Sequence, residues 1–159
     1  MRRFPVVLLA ALLAPAPLVA QRDSTERAVM AVVTSLFDAM RAGDSAKVRA
    51  AFHPQAQLVT ARLRDGQASV VVDTLDTFVR AVGTPHTEVW DERLRGTTVH
   101  VDGPLAAVWT GYAFYAGTRF SHCGVDAFQL ARTADGWRIV SIADTRQRTG
   151  CPEQPGGAR

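Results

Sequence analysis

The chain has 159 residues, enough for one domain with a substantial core, and 47% of them are hydrophobic. Of its 18 basic side chains, Arg2 and Arg3 belong to an N-terminal leader, and the 16 that remain balance 15 acidic ones. A near-neutral chain whose single lysine is Lys47 has no basic patch for nucleic acid, and no segment is apolar for long enough to span a bilayer.

Residues 1–20 combine the basic head Arg2-Arg3, an apolar run at 6–13 and a small-residue, Pro-interrupted stretch at 14–20. This order predicts a secretory signal cleaved within a few residues of Ala20-Gln21, leaving a periplasmic or secreted protein with no membrane attachment. The domain is then expected over 21–147, with a Pro- and Gly-rich tail over 148–159.

Asp23-Ser24-Thr25-Glu26 offers N-cap chemistry and early negative charge. Val29, Val32, Val33, Leu36, Phe37 and Met40 follow at helical spacing on one face, and Gly43 ends the helix. Asp44 caps a second, shorter helix with Val48, Ala51 and Phe52 inward. His53-Pro54 stops it, because the residue before a proline resists the α region. Residues 55–64 predict a strand, Asp65-Gly66 a turn and 68–72 a short extended piece. Asp73 then caps a third helix through Leu75, Phe78, Val79 and Val82. A long extended run over 86–101 turns at Asp102-Gly103-Pro104 into three strands over 105–146. These reverse at Gly117 and at Asp135-Gly136, and aromatic and β-branched residues fill the runs between.

Separate helical and strand blocks predict an α+β domain with helices on one face of a largely antiparallel sheet. The segments GDSAKVRAAFHPQAQL, VDTLDTFVRAVG and the strand set GPLAAVWTGYAFY, FSHCGVDAFQLAR and GWRIVSIADTR resemble those of the nuclear transport factor 2-like superfamily, which includes SnoaL-like cyclases, ketosteroid isomerases and scytalone dehydratase. The resemblance spans residues 26–146. It implies a cone: a strongly bent mixed or antiparallel sheet wrapped around the N-terminal helices, with an open-ended pocket between them. It also implies acid/base residues on the lining face and dimerisation through the opposite face. Function does not follow from the fold, since the superfamily holds enzymes, ligand carriers and interaction modules.

Counting outward from the two turns pairs Tyr115 with Phe120, Ala113 with His122, Trp109 with Asp126, Leu130 with Ile139 and Asp126 with Ala143. Alternation then gathers Trp109, Tyr115, Phe120, His122, Asp126, Phe128, Leu130, Trp137 and Ile139 on one face. The apolar end of that face packs on the first helix, and the boundary near His122 and Asp126 is where a ligand pocket would lie. Asp126, a carboxylate beside Trp109 in an apolar cone, is the candidate general base; the alternative is a structural hydrogen-bonding role. His122 stands about 13 Å along the same strand, too far for a dyad with Asp126 but near enough to share a ligand. Trp109, Tyr115 and Phe120 complete the candidate aromatic lining. Asp144 is expected outward in a surface pair with an Arg, while Glu92 could point into the mouth of the cone.

The other face would carry Val108, Thr110, Tyr112, Phe114, Val125, Ala127, Val140 and Ile142, which predicts a homodimer there. Cys123 and Cys151 are expected to form a disulfide in an oxidising compartment. His53, His86 and His100 have no metal-ligand spacing, and no P-loop, GxSxG or dinucleotide glycine motif appears, so no metal or cofactor is implied. Three functions remain: an exported protein that binds a small apolar or aromatic ligand, a cofactor-free isomerase, cyclase or dehydratase using Asp126 as base with His122 or Tyr115 as a polar helper, and a dimeric interaction module.

Overall fold

A computed structural model describes residues 18–64 and 66–152. The proposed leader lies outside the described residues except for its last three, which continue the first helix. The elements run α1 (Leu18–Ala42), α2 (Ser45–Ala51), β1 (Phe52–Arg64), β2 (Gln67–Thr74), α3 (Leu75–Gly83), β3 (Trp90–Asp102), β4 (Leu105–Ala116), β5 (Arg119–Thr133) and β6 (Gly136–Thr145).

The apolar stripe of α1 does what its spacing dictates: Val29, Val33, Leu36, Phe37 and Met40 are buried. The helix starts upstream of the expected cap, however. Ser24 and Thr25 turn their hydroxyls back onto the Gln21 carbonyl, at 2.8 and 2.9 Å, and Arg22 pairs with Glu26 one turn on. Asp44 caps α2 as expected, accepting the Lys47 amide at 3.0 Å. The cap of α3 is Thr74 and not Asp73. Its hydroxyl accepts the Thr77 amide at 3.1 Å, while Asp73 accepts the amide of Thr74. β1 starts at Phe52, directly after α2, because Pro54 forbids helix but tolerates extended backbone. β3 starts at Trp90 rather than His86.

The six strands lie in the order β2-β1-β6-β5-β4-β3, with β1 parallel to β6 and every other neighbour antiparallel. The sheet curls without closing, and the helices cover its concave side. Val108, Phe128, Leu130, Trp137 and Ile139 meet α1 there, with Phe37 set edge-on to Phe128 at 6.0 Å.

Three one-residue bulges bend the strands. In β3, Gly96 and Thr97 together oppose Thr110, and Gly96 takes the left-handed conformation (φ +59°) that such a bulge needs. In β5, Ser121 is the extra residue; in β6, it is Val140. Past each bulge the pairing moves by one residue. Tyr115–Phe120 and Leu130–Ile139 therefore pair as expected, but Phe114 faces His122, Thr110 faces Asp126, and Asp126 faces Asp144.

The same shift sets Cys123 opposite Gln147. Two backbone hydrogen bonds of 3.0 and 2.9 Å join them, and Cys151 folds back to bond Cys123 across a Cα–Cα distance of 5.9 Å. Both cysteines are fully buried.

Candidate functional site

Between the helical layer and the curled sheet lies a cavity of about 370 Å³. Its base is apolar: Leu58, Phe128 and Ile142 from the sheet meet Leu36, Phe37 and Met40 from α1. One step up, a row of polar side chains crosses four strands in register. Thr60 of β1 stands beside Asp144 of β6, Asp144 beside Asp126 of β5, and Asp126 beside Thr110 of β4. Sheet alternation puts this row above the apolar floor, since Asp126 and Phe128 share a face of one strand.

Each member of the row except Asp126 is satisfied. Thr60 donates to Asp144 Oδ1 at 2.6 Å, and Arg146 Nε donates to Asp144 Oδ2 at 2.6 Å. The Thr110 hydroxyl bonds Thr97 and the Arg95 and Gly111 carbonyls. Asp126, 5% exposed, leaves Oδ2 buried without an N–H or hydroxyl donor among the described residues. Its neighbour is Glu92, which reaches in from β3 and hydrogen-bonds Asp126 carboxyl to carboxyl.

Two acids in one dry site cannot both ionise cheaply. Burial, the largest cause, pushes Asp126 up to about 7, with the Asp144 charge adding to it and the Glu92 hydrogen bond opposing. Glu92 rises well above its ordinary value, first through burial and then through the Asp126 charge. The pair therefore holds protons near neutrality.

The upper wall is aromatic. Trp90 stacks on His86 with ring centroids 3.9 Å apart and meets Phe114 edge-on at 6.0 Å; Phe114 stacks on His122 at 5.0 Å. Burial, then the Arg146 charge, lowers the His122 pKa, so its ring is neutral at pH 7. Tyr112 crosses the gap between the acid row and this wall and donates to the Thr145 carbonyl at 2.8 Å. Gly124 makes that crossing possible, because a Cβ there would overlap the Thr145 carbonyl oxygen and lie 2.9 Å from the Tyr112 ring.

Of the residues expected at the site, His122 and Asp126 line the cavity. Trp109 does not: it is 59% exposed on the outer face, and its cross-strand neighbour is Ala127. Tyr115 and Phe120 pair with each other at 5.7 Å beyond the bulge, with the Arg93 guanidinium over the Tyr115 ring, and neither lines the cavity. The Ser121 bulge is the cause, since it exchanges the faces of β4 relative to β5. Tyr112 and Phe114, expected outside, are inside. The Val140 bulge likewise turns Asp144 inward, though its pairing with an Arg stands. Glu92 was legible only as a residue able to reach the mouth. Nothing in the local sequence of β3 marks the Glu92–Asp126 contact.

Comparison with known structures places this geometry. A structure described as "a putative dehydratase from the NTF2-like family" of Streptomyces avermitilis is similar over 80% of this chain and 99% of its own. Identity is 19% and the TM-score 0.61. An NTF2-like protein with a cystatin-like fold from Novosphingobium aromaticivorans matches over 82% of this chain and 88% of its own, at 13% identity and a TM-score of 0.64. A nuclear transport factor 2 (NTF2-like) superfamily protein from Salmonella enterica matches over 84% and 99%, at 15% identity and a TM-score of 0.62. At such identities the likeness shows the fold alone. No curated protein matches the chain by sequence. The family whose model matches residues 24–143 is described as "Putative lumazine-binding", and the chain belongs to that family, within the nuclear transport factor 2-like superfamily.

Proposed function

We propose that the chain is an exported protein that binds a small aromatic molecule inside the cone. The observation that carries this reading is the cavity of about 370 Å³ whose wall divides into an aromatic side and a carboxyl side. That volume suits a one- or two-ring molecule. Trp90, Phe114 and His122 supply ring faces for stacking. The Glu92–Asp126 pair supplies the fixed polar contact that sets orientation. The family description names lumazine, a flat bicyclic compound, which makes lumazine the first ligand to try.

Residues 1–20 serve as the export signal, 21–147 as the domain and 148–159 as the tail. The Cys123–Cys151 bridge fits an oxidising compartment, and no described helix is long and apolar enough to cross a membrane. The outer face of β4 and β5, carrying Leu105, Ala107, Trp109, Val125 and Ala127, seats a second copy of the chain.

The test is native mass spectrometry of protein taken from its own host, with lumazine titration followed by intrinsic tryptophan fluorescence of a chain whose Trp109 and Trp137 are replaced by Phe. A co-purifying aromatic mass, or saturable quenching that a bulky Ala81→Trp plug abolishes, supports the reading. Protein that carries no small molecule and does not respond to lumazine or to other one- and two-ring aromatics overturns it.

A second reading is a cofactor-free isomerase, cyclase or dehydratase. The Asp126 carboxyl, poised to titrate near neutral pH, favours it. Asp126 would take a proton from the bound molecule, and neutral His122 would act as a polar helper on the same wall. Asp126→Asn that keeps ligand binding and abolishes turnover supports the enzyme; Asp126→Asn with no effect on turnover dismisses it. The open cavity weighs against an interaction module with a filled cone.

A further inference from the structure

We infer that the ligand is an N–H donor, and preferentially an organic cation of the aromatic amine or amidine class, anchored on Asp126 Oδ2. This rests on the small-molecule reading above and names the chemistry of its guest.

The hydroxyl donors around Asp126 are already spent. Tyr112 gives its proton to the Thr145 carbonyl, Thr60 gives its to Asp144, and Thr110 is bonded to Thr97 and to backbone carbonyls. Arg146 is drawn onto Asp144. What the wall still offers is an acceptor. Asp126 is 5% exposed, lines the cavity, and its Oδ2 has no N–H or hydroxyl donor among the described residues, the Glu92 carboxyl being the group set against Asp126. A buried carboxylate that faces a second acid in place of a donor is costly, and a donor arriving on the ligand relieves that cost.

Charge points the same way. The charged groups lining the cavity are Glu92, Asp126, Asp144, Asp73 and Arg62, from β3, β5, β6, β2 and β1, and Arg146, which directly follows β6. Arg146 neutralises Asp144, and Arg62 and Asp73 add one charge of each sign to the lining. Neutral His122 adds no positive charge at pH 7. The excess is negative and sits in the Glu92–Asp126 pair, where protons substitute for a missing counter-ion. A cation replaces one of those protons, and the Trp90, Phe114 and Tyr112 rings receive its positive edge.

Isosteric probes separate the possibilities. Benzamidine (cation), benzamide (neutral) and benzoate (anion) share size and shape. Their affinities for the mature chain are measured by calorimetry at pH 6.5 in two buffers of different ionisation enthalpy. Benzamidine is expected to bind at least about tenfold more tightly than benzamide, with release of a fraction of a proton from the acid pair. The preference should fall to about twofold or less in Asp126→Asn, and Glu92→Gln provides the same comparison if the first variant does not fold. Benzamide or benzoate binding as tightly as benzamidine overturns the inference while leaving an aromatic-binding cavity in place. Binding of none of the three, nor of lumazine, removes the cavity reading itself.

Discussion

Asp126 gains its properties from where its strand places it, against a second acid and above an apolar floor. Its carboxyl pKa rises from the ordinary 3.8 to about 7. Below the ordinary value the folded and unfolded chains both hold the proton, so the group has no effect on stability. Between about pH 4 and 7 the unfolded chain has lost that proton while the folded chain keeps it. Stability therefore falls as pH rises through this window, and the penalty is complete above it. Asp126→Asn removes the titration. Relative to the native chain, the variant should gain about 2–3 kcal/mol between pH 5 and pH 8, read from urea midpoints at the two pH values. Equal differences at both pH values would mean that Asp126 ionises normally.

Among the elements, the edge strand β2 and the helix α3 that follows it frame the cavity mouth through Val71, Asp73, Thr77 and Ala81. β2 pairs only with β1, and Val70 and Val72 are about two-thirds exposed. The start of α3 is held by the Thr74 cap, which bonds both the amide and the hydroxyl of Thr77. Thr74→Ala should cost about 1 kcal/mol in global stability, and hydrogen exchange should show faster opening of the first turn of α3. Unchanged exchange there would assign the ordering of the mouth to the packing of Leu75 and Val79 instead. The strand bulges act at this same scale. Ser121 and Val140 are each one residue long, yet they decide which side chains of β4 and β6 face the cavity.

For the molecule as a whole, two features outside the cavity set stability and assembly. The Cys123–Cys151 bond ties the segment after β6 to the middle of β5. With the cysteines 28 positions apart, Cys151→Ser should lower stability by about 3–4 kcal/mol in the chain-entropy model, measured by denaturant unfolding under oxidising conditions. A loss below about 1 kcal/mol would show that the paired backbone of Cys123 and Gln147 holds this end unaided. The outer face predicts assembly, because Trp109 and Leu105 are more than half exposed on a surface that no described helix covers. Light scattering should give a dimer mass for the native chain and a monomer mass for Trp109→Glu. A native monomer would leave Trp109 to some other partner.

Periodicity and turn residues by themselves determined the order of helices and strands, because these depend on local chemistry repeated along the chain; the cone followed from the family resemblance, and the cysteine pairing from there being two cysteines in a chain read as exported. Periodicity and turn residues also brought out Asp126 and His122 as cavity residues, since both lie on one side of the Ser121 bulge and share a face with Phe128. They could not assign Trp109, Tyr115, Phe120 or Asp144 to a face. A bulge arises from how the curled sheet fits its helices, and a single unpaired residue reverses every side chain beyond it. Only the tertiary structure brought Glu92 to Asp126, two acids 34 positions apart that meet because β3 curls across the mouth of the cone.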